Sequence, residues 1–195
     1  KILSEKIYNI NGTESKLIVY LYDELNSPIG FMYRDSSDAK AEFEEYLFTK
    51  NIQGDIIGIY NTAGVEVVHY DYNAWGETVN ITFEAGYNHI VQINPFRYRG
   101  YYFDSESGFY YLNARYYDPQ IKRFINADGI GYLGAGDELQ SYNLYSYCEN
   151  NPVMGYDPTG YWDWGGVIAG LGIIAGTIII VATMGIGSPI GAIVA

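Results

Sequence analysis

Apolar residues alternate or run in short stretches along much of this chain, with turn-forming residues between the stretches. Lys16-Leu17-Ile18-Val19-Tyr20-Leu21-Tyr22 predicts a strand, Asn26-Ser27-Pro28-Ile29-Gly30 a turn, and Phe31-Met32-Tyr33 the start of a returning strand. Asp55-Ile56-Ile57-Gly58-Ile59-Tyr60 leads into Asn61-Thr62-Ala63-Gly64 and then a strand from Val65 to Tyr72. In that last strand Val68, Tyr70 and Tyr72 share one face by period-two alternation, and Val65, Val67, His69 and Asp71 share a partly apolar second face. The unit recurs loosely. Tyr-Asp pairs stand at Tyr22-Asp23, Tyr70-Asp71, Tyr117-Asp118 and Tyr156-Asp157, and Asn/Asp-to-Gly turns at Asn26 to Gly30, Asn61 to Gly64 and Asp104 to Gly108. Such periodicity predicts stacked hairpins, each unable to bury its face alone. A compact β-sandwich with tyrosine-rich strands fits the same pattern.

Composition strengthens the β reading, because the chain holds 22 Tyr and 23 Gly in 195 residues. Aromatic residues suit pleated surfaces and glycine supplies positive φ at turns. A formal charge of −12 argues against a nucleic-acid partner, and the 11 Lys and Arg form no basic run. The single cysteine, Cys148, excludes an internal disulfide and reads as a small buried side chain. His69 and His89 stand apart with no thiol or acidic cluster, so no metal site is expected and no cofactor is implied. The start at Lys1 and the apolar end at Ala195 read as a piece of a longer polypeptide.

The stretch Arg115-Tyr116-Tyr117-Asp118-Pro119, followed by Lys122-Arg123 and then Asp128, concentrates basic residues among acids and aromatics. It is either a strand and turn or part of a site. Asp118-Pro119 reads as a turn former, and Arg115 and Arg123 as candidates for ion pairs in an acidic sheet. From Trp164 to the C-terminus no residue is charged, and residues 166–185 are long enough to span a bilayer as a helix. Gly166, Ile173, Ile180 and Gly185 mark that segment, Trp162 and Trp164 precede it, and glycines at helical spacing suit close helix contacts. Three settings suit it: a transmembrane helix, a membrane-inserting hairpin, or a helix kept within a hydrophobic shell.

Asn51-Ile52-Gln53-Gly54-Asp55-Ile56-Ile57-Gly58, followed by Tyr72-Asn73-Ala74-Trp75-Gly76, resembles the YD repeats of Rhs proteins. Residues 94–102 (Asn-Pro-Phe-Arg-Tyr-Arg-Gly-Tyr-Tyr) and 108–119 (Gly-Phe-Tyr-Tyr-Leu-Asn-Ala-Arg-Tyr-Tyr-Asp-Pro) resemble the Rhs repeat-associated core. Residues 143–152, ending in Glu149-Asn150-Asn151-Pro152, and the later Asp157-Pro158-Thr159-Gly160 resemble its closing motifs. The resemblance implies a mainly β fold. Residues 1–45 are expected to form partial YD-type hairpins and 46–161 the core. Residues 162–195 would be the start of a C-terminal cargo, as an apolar helical or membrane-inserting segment.

The resemblance further implies a hollow β-shell that the core plugs at one end, with a variable toxin held inside. Many such cores act as intramolecular aspartic proteases. By that resemblance Asp128 and Asp157 are the catalytic aspartates and Arg123 is the arginine of the strand before the first. The cut is expected just after Gly160, at or beside Tyr161-Trp162. This chain has Asp128-Gly129 where many members have Asp-Pro, and Tyr161 where many have leucine. Expected partners are the upstream shell of the same chain, the toxin cargo, an immunity protein for that cargo, and a membrane for the tail. The expected location is secreted or at the cell surface. The rival expectation is a non-cleaving cell-surface repeat protein for adhesion or carbohydrate binding, anchored by its tail.

Overall fold

The computed structural model describes residues 1–37, 41–132 and 142–161. Its first part is a seven-stranded antiparallel meander whose strands pair in chain order. They are β1 (Ser4–Tyr8), β2 (Glu14–Tyr22), β3 (Pro28–Asp35), β4 (Glu44–Lys50), β5 (Ile56–Asn61), β6 (Glu66–Tyr72) and β7 (Thr78–Phe83). The division at 45/46 lies inside β4, and the sheet runs through it without a break.

Five of the six hairpin connections use one turn. At Asn9, Asp23, Asn51, Asn61 and Asn73 the first turn residue donates its N–H to the carbonyl four residues on, and its own carbonyl accepts from the residue three on. That fourth residue has positive φ and is Gly12, Asn26, Gly54, Gly64 or Gly76. The four asparagine side chains also accept from the N–H groups two and four residues on, so the side chain satisfies donors that the ladder leaves over. Each turn follows a register shift one residue before it, at Tyr8, Tyr22, Lys50, Tyr60 and Tyr72. The repeat is therefore a strand ending in a bulge and an Asx turn. The turn expected at 26–30 is displaced to Asp23–Ser27, because Asp23 supplies the capping carboxylate and Asn26 takes the left-handed position.

Period-two alternation places Ile18 and Tyr20, Phe31 and Tyr33, Tyr46 and Phe48, and Val68 and Tyr70 in the core. The pairs Tyr20↔Phe31, Phe31↔Tyr46, Phe48↔Ile59 and Ile59↔Val68 join these into a stripe across the sheet. Helix α1 (Asn88–Ile93) packs Ile90 and Ile93 into this core, and Phe96 meets Tyr20 edge-on at 4.9 Å.

The chain then builds a second sheet of β8 (Tyr102–Asp104), β9 (Phe109–Tyr111), β10 (Tyr116–Asp118) and β11 (Arg123–Phe124), ordered β11-β10-β9-β8. Its core is largely tyrosine: Tyr98, Tyr101, Tyr110, Tyr117 and Tyr147 pack with Leu112 and Phe124. Three of these reach back to the first sheet. Tyr98, Tyr117 and Tyr110 donate their hydroxyls to the carbonyls of Ala74, Trp75 and Gly76, at 2.9, 2.7 and 2.9 Å, all in the β6–β7 turn. Buried phenols need such partners, and here the partner is the turn itself. Arg99 adds a second tie, donating to Gln53 O at 2.8 Å and to Pro152 O, with Asp55 beside its Nε.

Among the described residues no helix is long and apolar enough to cross a membrane. The expected apolar helix, with Gly166, Ile173, Ile180 and Gly185, lies outside the described residues.

Two substitutions test this turn. Asn73→Ala removes an acceptor of two amide bonds and is expected to lower the unfolding free energy by about 1–2 kcal/mol. Gly76→Ala is expected to cost more, because at φ +85° its Cβ would stand 2.5 Å from the Tyr98 ring. Urea unfolding midpoints should fall in the order parent, Asn73→Ala, Gly76→Ala.

Candidate active site

Asn113, with φ of 66°, turns the chain sharply between β9 and β10. Ala114 donates its N–H to Thr159 O at 3.2 Å, and the Asn113 amide donates to Pro158 O at 3.2 Å. Residues 157–160 are thereby clasped to this turn. Gly160 fits so closely, at φ +74°, that a Cβ there would lie 2.5 Å from Leu112 O.

Arg115 leaves the turn on the same face as Tyr117 and enters the space between the clasped segments. Its Nη2 lies 2.9 Å from Asp128 Oδ2 and 3.2 Å from Asp157 Oδ2. Its Nη1 donates to Leu144 O at 3.1 Å and its Nε to Gly160 O. The guanidinium carbon lies 3.6 Å from the centre of the Phe124 ring, a cation–π contact. The side chains of Arg115, Asp128 and Asp157 are only 6, 6 and 8% exposed, so bulk water screens the three charges little.

The two carboxylates are held differently. Asp128 donates its N–H to Leu144 O at 2.9 Å, and its Oδ1 accepts from Gly129 N at 2.7 Å. Asp157 Oδ1 accepts from Gly160 N at 2.8 Å and Thr159 N at 3.2 Å. Its own N–H donates to the Tyr101 hydroxyl at 3.0 Å, and that hydroxyl lies 3.1 Å from the Tyr147 hydroxyl. Burial raises the Asp157 carboxyl above its ordinary value, against the opposing pull of the two amides and Arg115. Burial likewise lowers the Arg115 guanidinium, while both aspartates pull it back up. Two carboxyls on one guanidinium, beside a backbone carbonyl held by the same group, form an arrangement suited to proton transfer at that peptide.

The structure brings Asp128, Asp157 and Gly160 together. Arg123 is exposed on β11, its backbone bridging to Ser146, and the arginine between the aspartates is Arg115. Alternation carried the missing signal: Tyr117 points inward, so Arg115 two residues earlier does too, whereas Arg123 precedes the buried Phe124 and points outward. Asp118 caps its own turn, accepting from Gln120 N at 2.8 Å. Burial pushes the Cys148 thiol up to about 12, which keeps it protonated. Tyr161 is 50% exposed, and Trp162 lies outside the described residues.

No model of a known protein family matches the chain. It is 39% identical over 133 residues to the tRNA(Glu)-specific nuclease WapA of Bacillus subtilis subsp. natto, covering 68% of this chain and 5% of that protein. It is 46% identical over 66 residues to toxin protein Tse5 of Pseudomonas aeruginosa, covering 34% of this chain and 5% of that protein. The chain thus spans a small part of these relatives. Among solved structures, the Photorhabdus luminescens Tc holotoxin pore superposes with a TM-score of 0.54 at 16% identity, over 81% of this chain and 10% of that one. At that identity the likeness is one of fold.

Tyr101→Phe leaves the buried Asp157 N–H without its acceptor and is expected to cost about 1–3 kcal/mol. Tyr116→Phe, on a side chain 41% exposed, should change stability little. Calorimetric unfolding of the two variants checks this.

Proposed function

We propose that the chain is the C-terminal part of an Rhs/YD-repeat shell that encapsulates a C-terminal toxin used between bacteria and frees it by aspartyl self-cleavage. The observation that carries this reading is Arg115, whose guanidinium joins Asp128, Asp157 and the carbonyl of Gly160. The similarity to a nuclease and to a toxin protein, and the fold shared with part of the Tc holotoxin pore, support it. The shell would come from upstream repeats of the same polypeptide, and the cargo from the chain after Gly160. An immunity protein would answer the cargo. A secreted or cell-surface location follows from the same reading.

In the hydrolysis Asp128 is the base and Asp157 the acid. Water adds its oxygen to the carbonyl carbon of a peptide at or beside Tyr161, and its proton passes to Asp128. The carbon–nitrogen bond then breaks, and the leaving nitrogen takes the proton of Asp157. The products are a carboxylic acid and an amine. Arg115 balances the charge on the carboxyl pair and stabilises a negative carbonyl oxygen through its N–H.

A second reading has its own observation. Asp157 Oδ1 is occupied by the amides of its own turn, as in a purely structural ion-pair clamp. The chain would then be a non-cleaving cell-surface repeat protein.

Intact mass of the chain of residues 1–195 over time separates the two readings. The cleavage reading expects two fragments from the parent, and at least about a 100-fold loss in Asp128→Asn and in Asp157→Asn. A folded parent that stays whole would overturn it. The pH dependence has a fixed sign. Asp157 must hold its proton to act, and burial raises its pKa, so the cleavage rate falls as pH rises through that raised value.

A further inference from the structure

Between the carboxyl pair and residue 161 stands one hydroxyl. Thr159 Oγ1 accepts from Tyr161 N at 3.2 Å and is placed to donate to Tyr161 O at 3.3 Å or to Asp157 Oδ1 at 3.5 Å. The same Oδ1 takes the N–H groups of Thr159 and Gly160, so Asp157, Thr159 and the backbone of residue 161 form one hydrogen-bonded unit. On its other side Gly160 O is held by Arg115 Nε. The backbone on both sides of the Gly160–Tyr161 peptide is therefore fixed: its carbonyl by Arg115, and the N–H and C=O of residue 161 by Thr159.

A threonine hydroxyl has one proton and can donate to one acceptor at a time. While Asp157 is protonated, its neutral carboxyl draws the threonine proton less, and that proton is directed to Tyr161 O. When Asp157 is ionised, its carboxylate competes for the threonine proton and the bond to Tyr161 O weakens. The orientation of residue 161 is thus tied to the protonation of the acid.

Resting on the cleavage reading, we infer that Thr159 is the residue that determines which bond is cut, by holding residue 161 in a single orientation against the Asp128–Asp157 pair. It is a positioning residue. Without its hydroxyl the backbone of residue 161 loses both of its bonds to Thr159, so cutting slows and loses its single site.

The test follows the parent chain, Thr159→Val and Thr159→Ser by intact mass over time, with urea unfolding of each. The parent is expected to give one fragment end. Thr159→Val keeps the shape but lacks the hydroxyl, and should cut at least about tenfold more slowly and give fragments ending at more than one residue. Thr159→Ser should restore the single end at close to the parent rate, which a loss of packing alone would not allow. A Thr159→Val chain cut at the parent rate and the parent bond overturns the inference while leaving self-cleavage intact. If Thr159→Val unfolds, Thr159→Ser decides: a folded serine chain with scattered ends or a tenfold lower rate also overturns it. A folded parent that is not cut removes the cleavage reading itself, and this inference with it.

Discussion

One guanidinium holds the end of this molecule together. Arg115 meets two carboxylates, the carbonyls of Leu144 and Gly160, and the face of Phe124, which come from three separate stretches of chain. Such a group is expensive to bury, and the cost is offset only if every donor finds an acceptor. That requirement sets the surrounding geometry. The Leu112–Arg115 turn must be tight, Gly160 must lack a side chain, and the segment at 143–146 must lie along β11. Removing any one partner leaves a charge or an N–H without its match.

Tyrosine performs the corresponding task for the rest of the second sheet. A buried phenylalanine ring would pack as well, but it could not answer the carbonyls of the β6–β7 turn. Tyr98, Tyr110 and Tyr117 do both, so the small sheet is docked by ring packing and fixed in register by hydroxyls. Tyr101 and Tyr147 extend the same device to the Asp157 loop. In this core tyrosine therefore has a specific use: the core closes over backbone polar groups, and apolar rings with polar tips cover them.

Strands β2, β3, β5 and β6 were legible as apolar and aromatic runs between turn residues, and in β6 the alternation put Val68 and Tyr70 on one buried face. The Asx turn at Asn61 was legible too, since an asparagine followed three residues later by glycine states the whole geometry. The turn after β2 was misplaced because Asn26, rather than a glycine, takes the left-handed position there. The short strands of the second sheet carry too few residues for periodicity to mark them, and long-range contacts position them. The aspartates 128 and 157 came from resemblance, and the structure brings them to one nitrogen. The arginine between them required knowing which face of β10 is buried, which the inward Tyr117 decides and an isolated reading of Arg123-Phe124 does not.

The Arg115 fork, rather than its charge alone, joins the two aspartates to the carbonyl of Gly160. Lysine keeps the charge but cannot reach the carboxyl pair and Gly160 O together. Time-resolved intact mass of Arg115→Lys and Arg123→Lys, beside the parent, is the most direct measurement. Under the cleavage reading Arg123→Lys is cut as the parent is, and a folded Arg115→Lys chain stays whole over the same period. An Arg115→Lys chain cut at the parent rate would contradict this role of the fork.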